Sequence, residues 1–105
     1  GLRVGVGTDS VASIGRLDLL AEARAARALA GLTAQQALAL ATRGAAGALG
    51  LQDEVGTLQR GLWGDVAVVA VSGVAGPEAA FEAVLASGPA DVAETILGGR
   101  TVYRR

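Results

Sequence analysis

Histidine, cysteine and methionine are absent from this 105-residue chain, and aromatic residues make up only 3% of it. Histidine is the commonest general base and metal ligand. Without histidine or cysteine, the chain cannot by itself build the usual zinc site or a Ser-His-Asp triad. The lack of cysteine also excludes disulfides and thiolate metal sites. Half of the residues are hydrophobic (51%), yet much of that content is alanine, and alanine buries little area per residue. A core of Ala, Val and Leu without large rings is thin. The chain also lacks an initiator methionine, and its first strand-like stretch begins at Leu2. The expectation is a segment that packs against more protein than its own residues supply.

Other absences concern partners. Net charge is −1, and arginines are interspersed with acidic residues. There is no basic patch for nucleic acid and no polybasic arm. No apolar run is long enough to span a bilayer, and there is no signal peptide. A soluble, cytoplasmic protein with no nucleic-acid or membrane partner is the default expectation.

The stretch Leu2–Ser10, LRVGVGTDS, organises the rest. It reads as a short buried strand. Val4 and Val6 suit a pleated surface, and the residues offer no clean polar face, so cover on both sides is expected. Gly5 and Gly7 mark close approach to the backbone. The strand ends on Thr8, Asp9 and Ser10. In α/β sheets and barrels, that end collects ligands and catalytic groups. Asp9 is therefore the first candidate site residue. Spacing alone favours a plainer role, a cap on the following turn. The spacing Gly5-x-Gly7-x-x-Ser10 is a poor dinucleotide loop: the third glycine is missing and the next helix starts too late.

The residues from Leu17 to Leu29 predict a helix, with Asp18 and Glu22 early and Arg24 and Arg27 late, as the helix dipole favours. Gly31 stops it. Thr33 and Gln36 form a capping box for a second helical stretch over 33–48, with an expected break near Gly44 and a C-cap at Gly50. Its glycines are read as sites of close packing. The segment from Leu51 to Gly64 is loop-like; Asp53-Glu54 is read as a solvated pair and Trp63 as a packing residue. An apolar strand is expected over 65–71. Residues 78–86 read as a short helix or an irregular excursion, ended by Gly88-Pro89. Two further strands, 92–97 and 100–103, flank Gly98-Gly99, a hairpin signal, and should pair with 65–71. The order is a βα unit followed by a small antiparallel sheet. No carboxylate pair has a spacing suited to acid–base work.

Four stretches, in order, resemble one family. GVGTDSVAS with LDLLAEAR is similar to the last barrel segment of the amidohydrolase superfamily. LTAQQALALATRGAAGALGL, VGTLQRGLWGDVAVV and ETILGGRTVYR resemble the segments that follow it. The branch most similar is that of cytosine deaminases, chlorohydrolases and aminodeoxyfutalosine deaminases. Ile14 and Gly15 depart from the polar residue many members carry there; Arg43 and Leu62 replace an asparagine and a lysine.

The resemblance implies an α/β fold: the last strand and helices of a metal-dependent (β/α)8 barrel over residues 1–50, and C-terminal strands of a small β-sandwich domain over 51–105. It implies a deaminase that hydrolyses a C–N bond through a metal-bound hydroxide. Asp9 takes the place of the family's metal-binding aspartate, which also accepts the water's proton. One divalent ion is implied, zinc with iron as the alternative, held by histidines this chain lacks. Implied partners are a small-molecule substrate, the rest of the barrel and a second copy in a homo-oligomer. Alone, the segment is expected to be inactive. The rival reading is a non-catalytic α/β packing or binding module without metal, in which Asp9 is only a cap.

Overall fold

A computed structural model of the chain describes residues 2–8 and 18–105. Among the described residues, three helices come first: α1 (Leu19–Ala30), α2 (Ala34–Ala41) and α3 (Arg43–Ala48). They are followed by β1 (Val66–Val69), α4 (Pro77–Leu85), β2 (Val92–Leu97) and β3 (Arg100–Arg104). A single 3-10 turn, Pro89–Asp91, leads into β2.

Local chemistry sets most boundaries. The Asp18 carboxylate accepts from the Ala21 N–H at 3.1 Å and caps α1. Gly31 closes α1 at φ 66°, a left-handed conformation that glycine adopts without Cβ strain. The capping box is present in full: Gln36 N–H donates to Thr33 Oγ1 at 3.1 Å, and Thr33 N–H donates to Gln36 Oε1 at 2.9 Å. At the end of α3, Leu51 N–H reaches Ala46 O (2.8 Å) and Gly50 N–H reaches Gly47 O (3.1 Å). These two bonds form a Schellman motif around Gly50. Pro77 begins α4, where its missing N–H costs nothing. The segment 78–86 is thus a helix rather than an irregular excursion.

The sheet is antiparallel, in the order β1-β2-β3. Val66 pairs with Ile96 and Ala67 with Thr95, with a bulge between Val68 and Val69. The expected pairing of 65–71 with the hairpin is present. Gly98 and Gly99 turn the hairpin with both φ angles positive, 59° and 81°. Asp65 accepts from Gly98 N–H at 2.8 Å, tying the turn to the start of β1.

The core is small and lies between helices. Ala23, Ala34, Ala37 and Leu85 are buried together, with Leu38, Ala41 and Phe81 packed around them. Alanines on α1 and α2 let α4 approach closely, and Leu85 fills the space they leave. Arginines from α1 complete the joint. Arg24 donates to the carbonyls of Leu85 (2.8 Å) and Ser87 (3.0 Å), which α4 itself leaves unpaired. Arg27 holds Glu82 through two bonds of 2.7 Å.

Two expectations are corrected. Leu2–Val6 is not a strand covered on both faces. No strand is formed over residues 2–8, and Leu2 and Val4 are 94% and 55% exposed. A strand exists through bonds to neighbouring strands, and the sheet of this chain is built from other residues. Trp63 is not core: it is 61% exposed and lies over Gly98 at the hairpin turn. The solvated reading of Asp53-Glu54 holds, since both are exposed.

The open sheet edges of β1 and β3 and the exposed Leu2, Leu29, Leu49 and Leu58 favour association. Expressed alone, the chain should self-associate or melt without cooperativity; a monodisperse monomer with a sharp melt, seen by light scattering and calorimetry, would contradict this. In the intact protein, Leu85→Ala should lower unfolding free energy by about 2–5 kcal/mol in denaturant titration. A cost below about 1 kcal/mol would mean the joint is not a core.

Candidate functional site

The residues that lead to Asp9 are held by backbone. The helical stretch after Thr33 breaks at Thr42 (φ −122°, ψ −99°), two residues before the expected position. The break frees carbonyls at the end of α2, and those of Leu38, Ala39 and Leu40 find donors. Thr42 Oγ1–H donates to Leu38 O at 2.9 Å, and Thr42 N–H donates to Ala39 O at 3.3 Å. Leu40 O accepts from Val6 N–H at 3.0 Å. The segment 2–8 is thereby fastened to the α2–α3 junction rather than to a strand.

The contact is close. A Cβ built on Gly5 lies 2.4 Å from Ala45 Cα, and one built on Gly44 lies 2.7 Å from Val4 O. Neither position has room for a side chain. The sequence marked Gly5 as a point of close approach; its partner on α3 was not legible. Asp9 itself, with Ser10, Ile14 and Gly15, lies outside the described residues.

An open apolar groove of about 750 Å³ runs between the helices and the sheet, lined by Leu20, Leu38, Ala45, Val66 and Val69 among others. Asp18 and Asp65 stand at its margin, but both carboxylates are occupied by backbone N–H groups. The groove offers packing surface and no free acid or base among these two.

Among the described residues, no group of three or more His, Cys, Asp or Glu side chains gathers to hold an ion. With no histidine or cysteine in the chain, these residues do not make a metal site by themselves. Two described carboxylates are held by neighbouring donors. Hydrogen bonding from Arg27 holds Glu82 below its ordinary pKa. Bonds from Thr101, then Arg104, do the same for Glu94 on the sheet. No helix among the described residues is long and apolar enough to cross a membrane.

Comparison with known proteins decides the family. The model of the amidohydrolase family matches residues 1–102. The chain belongs to the amidohydrolase family. A 5-methylthioadenosine/S-adenosylhomocysteine deaminase of Desulforudis audaxviator is 37% identical over 99% of the chain. One from Moorella thermoacetica is 44% identical over 66% of it. Among solved structures, an adenosine deaminase from Xanthomonas campestris with bound zinc aligns over 95% of the chain, with TM-score 0.81 and 28% identity. A guanine deaminase from E. coli aligns over 99%, with TM-score 0.82 and 27% identity. This amidohydrolase chain spans 27% and 18% of the two curated relatives and 25% and 28% of the two solved chains.

The Arg27–Glu82 pair gives a pH test. Because the folded-state pKa of Glu82 is lowered, its contribution is present above the unfolded pKa and is lost as pH falls through the folded value. Glu82→Gln should lower Tm slightly at neutral pH, since the pair is exposed. The difference from wild type should vanish well below the ordinary glutamate pKa of about 4.3. A gap that persisted unchanged in acid would show that the pair's charge is not its contribution.

Proposed function

We propose that this chain is the C-terminal segment of a metal-dependent amidohydrolase that hydrolytically deaminates a small molecule. The observation that carries this reading is the agreement, along nearly the whole chain, with family members named as deaminases. Their names share a purine bearing an amino group, so an aminopurine or its nucleoside is the substrate class to test first. Water adds at the ring carbon, the C–N bond to the exocyclic amine breaks, and ammonia leaves. Residues 1–50 belong to a (β/α)8 barrel and residues 51–105 to a small β-domain.

In this reading Asp9 is the segment's contribution to the metal site. A divalent metal, when bound, supplies Lewis-acid activation of water near neutral pH. Zinc is the proposed ion, supported by the zinc in the solved adenosine deaminase. The other ligands come from outside this chain. Asp9 helps hold the ion by its charge and accepts a proton at its carboxylate, carrying it toward the leaving amine. The barrel's remaining strands are the partner that closes the exposed flank of residues 2–8.

In the intact enzyme, Asp9→Asn should keep the fold, because the replacement is nearly isosteric. It removes both the charge and the proton acceptor. General acid–base catalysis contributes about a hundred- to ten-thousandfold, so kcat should fall at least a hundredfold. Ser10→Ala, which leaves charge unchanged, should cost far less. Steady-state kinetics and metal analysis of both variants make the test. Near-normal turnover of Asp9→Asn would leave Asp9 a turn cap and overturn the assignment.

A further inference from the structure

We infer that one face of the β2–β3 hairpin is an interface between two copies of this protein, in which Arg100 of each copy enters a hollow formed by Trp63 and Asp65 of the other. The face is unusual for what it exposes. The chain has one Trp, one Tyr and one Phe. Two of these three, Trp63 and Tyr103, are 61% and 49% exposed, and Leu97 beside them is 53% exposed. Aromatic side chains and arginine are the groups that interface centres select.

Register brings these groups to one side of the sheet. Leu97 pairs with Arg100 across the hairpin, and Thr95 pairs with Tyr103. Cross-strand partners share a face, and Thr95 and Leu97, two apart on β2, share the same one. The pairing passes over Val102 at a bulge, so Arg100 and Tyr103 reach one face although three apart. Glu94 and Arg104 pair on the opposite face, where Glu94 accepts from Thr101 and Arg104. At the turn end, Leu97 joins Val55, Trp63, Asp65 and Gly98 around an open hollow of about 410 Å³.

Charge says what fits the hollow. It holds a carboxylate and no cation. Asp65 Oδ1 accepts from Gly98 N–H at 2.8 Å, and Oδ2 has no partner among the described residues. A Cβ built on Gly98 lies 3.3 Å from the indole of Trp63, so the ring rests against the turn and its remaining surface is open. Arg100 is the counterpart. Its guanidinium makes no hydrogen bond or ion pair among the described residues, whereas Arg104 is engaged by Glu94. A guanidinium satisfies the hollow twice, by stacking on the indole and by pairing with the carboxylate. Within one chain the two charges share a face and do not meet. A face that carries both halves of a contact is self-complementary, and a two-fold axis makes the contact twice. That favours a second copy over an unrelated partner.

The test follows the full-length protein by sedimentation velocity over a range of concentrations, with thermal melts in parallel. Wild type should dimerise. Trp63→Ala should weaken the dimer roughly thirtyfold or more, as loss of an interface anchor does. Asp65→Asn, which keeps an acceptor for Gly98 N–H, and Arg100→Ala should each weaken it by roughly tenfold or more at unchanged Tm. Arg104→Ala, on the opposite face, should leave it unchanged. The deciding measurement is a mixture. Asp65→Asn keeps the arginine and Arg100→Ala keeps the hollow, so their heterodimer holds one complete contact. Equal parts of the two should associate several-fold more tightly than either alone. A monomeric wild type, variants that dimerise like wild type, or a mixture no tighter than its components would each overturn the inference. So would a lower Tm in Trp63→Ala and Asp65→Asn with dimerisation intact, because the face would then be covered by the protein's own chain. None of these readouts depends on the deaminase reading.

Discussion

Leu85 packed among Ala23, Ala34 and Ala37 is the contact on which the arrangement of the two halves depends. The helices before residue 50 and the sheet after residue 65 touch mainly because α4 returns to α1 and α2. Alanine makes that return possible, since its small side chain lets helix axes come close, and one leucine then occupies the space. The apolar joint has no direction of its own. Arg24 and Arg27 supply it, one by satisfying the end of α4 and the other by a forked bond to Glu82. Burial provides attraction and the guanidinium groups fix orientation.

The same economy of side-chain volume operates at the α2–α3 junction. There, glycine replaces alanine because backbone meets backbone. Among the described residues no strand lies beside segment 2–8, and it is held against the α2–α3 junction through the bond from Val6 N–H to Leu40 O and two positions without a side chain. Leu2 and Val4 are left exposed on it. The groove between helices and sheet has the same character, being apolar at its walls with its two marginal carboxylates already bonded.

A segment without histidine or cysteine carries little chemistry of its own. Its perturbed carboxylates, Glu82 and Glu94, are bound by neighbouring donors and serve cohesion. The family membership therefore bears the functional argument.

What the sequence determined by itself were features with local causes. Asp18, Gly31, the Thr33–Gln36 box, Gly50 and the Gly98-Gly99 turn all act within a few residues, so their effects are readable from spacing. Four ordered motifs also carried the family. Tertiary structure decided what depends on distant partners. Residues 2–8 look like a strand by side-chain type, but a strand needs backbone partners that the pattern of one segment cannot supply. Trp63 looked like core because it is rare and large, yet it lies exposed across a turn whose position is set by β2 and β3. The break at Thr42 rather than Gly44 follows from an acceptor being needed by Val6, thirty-four residues away from Leu40 in the chain. Local signals name elements; only contacts between them say which glycine must stay a glycine.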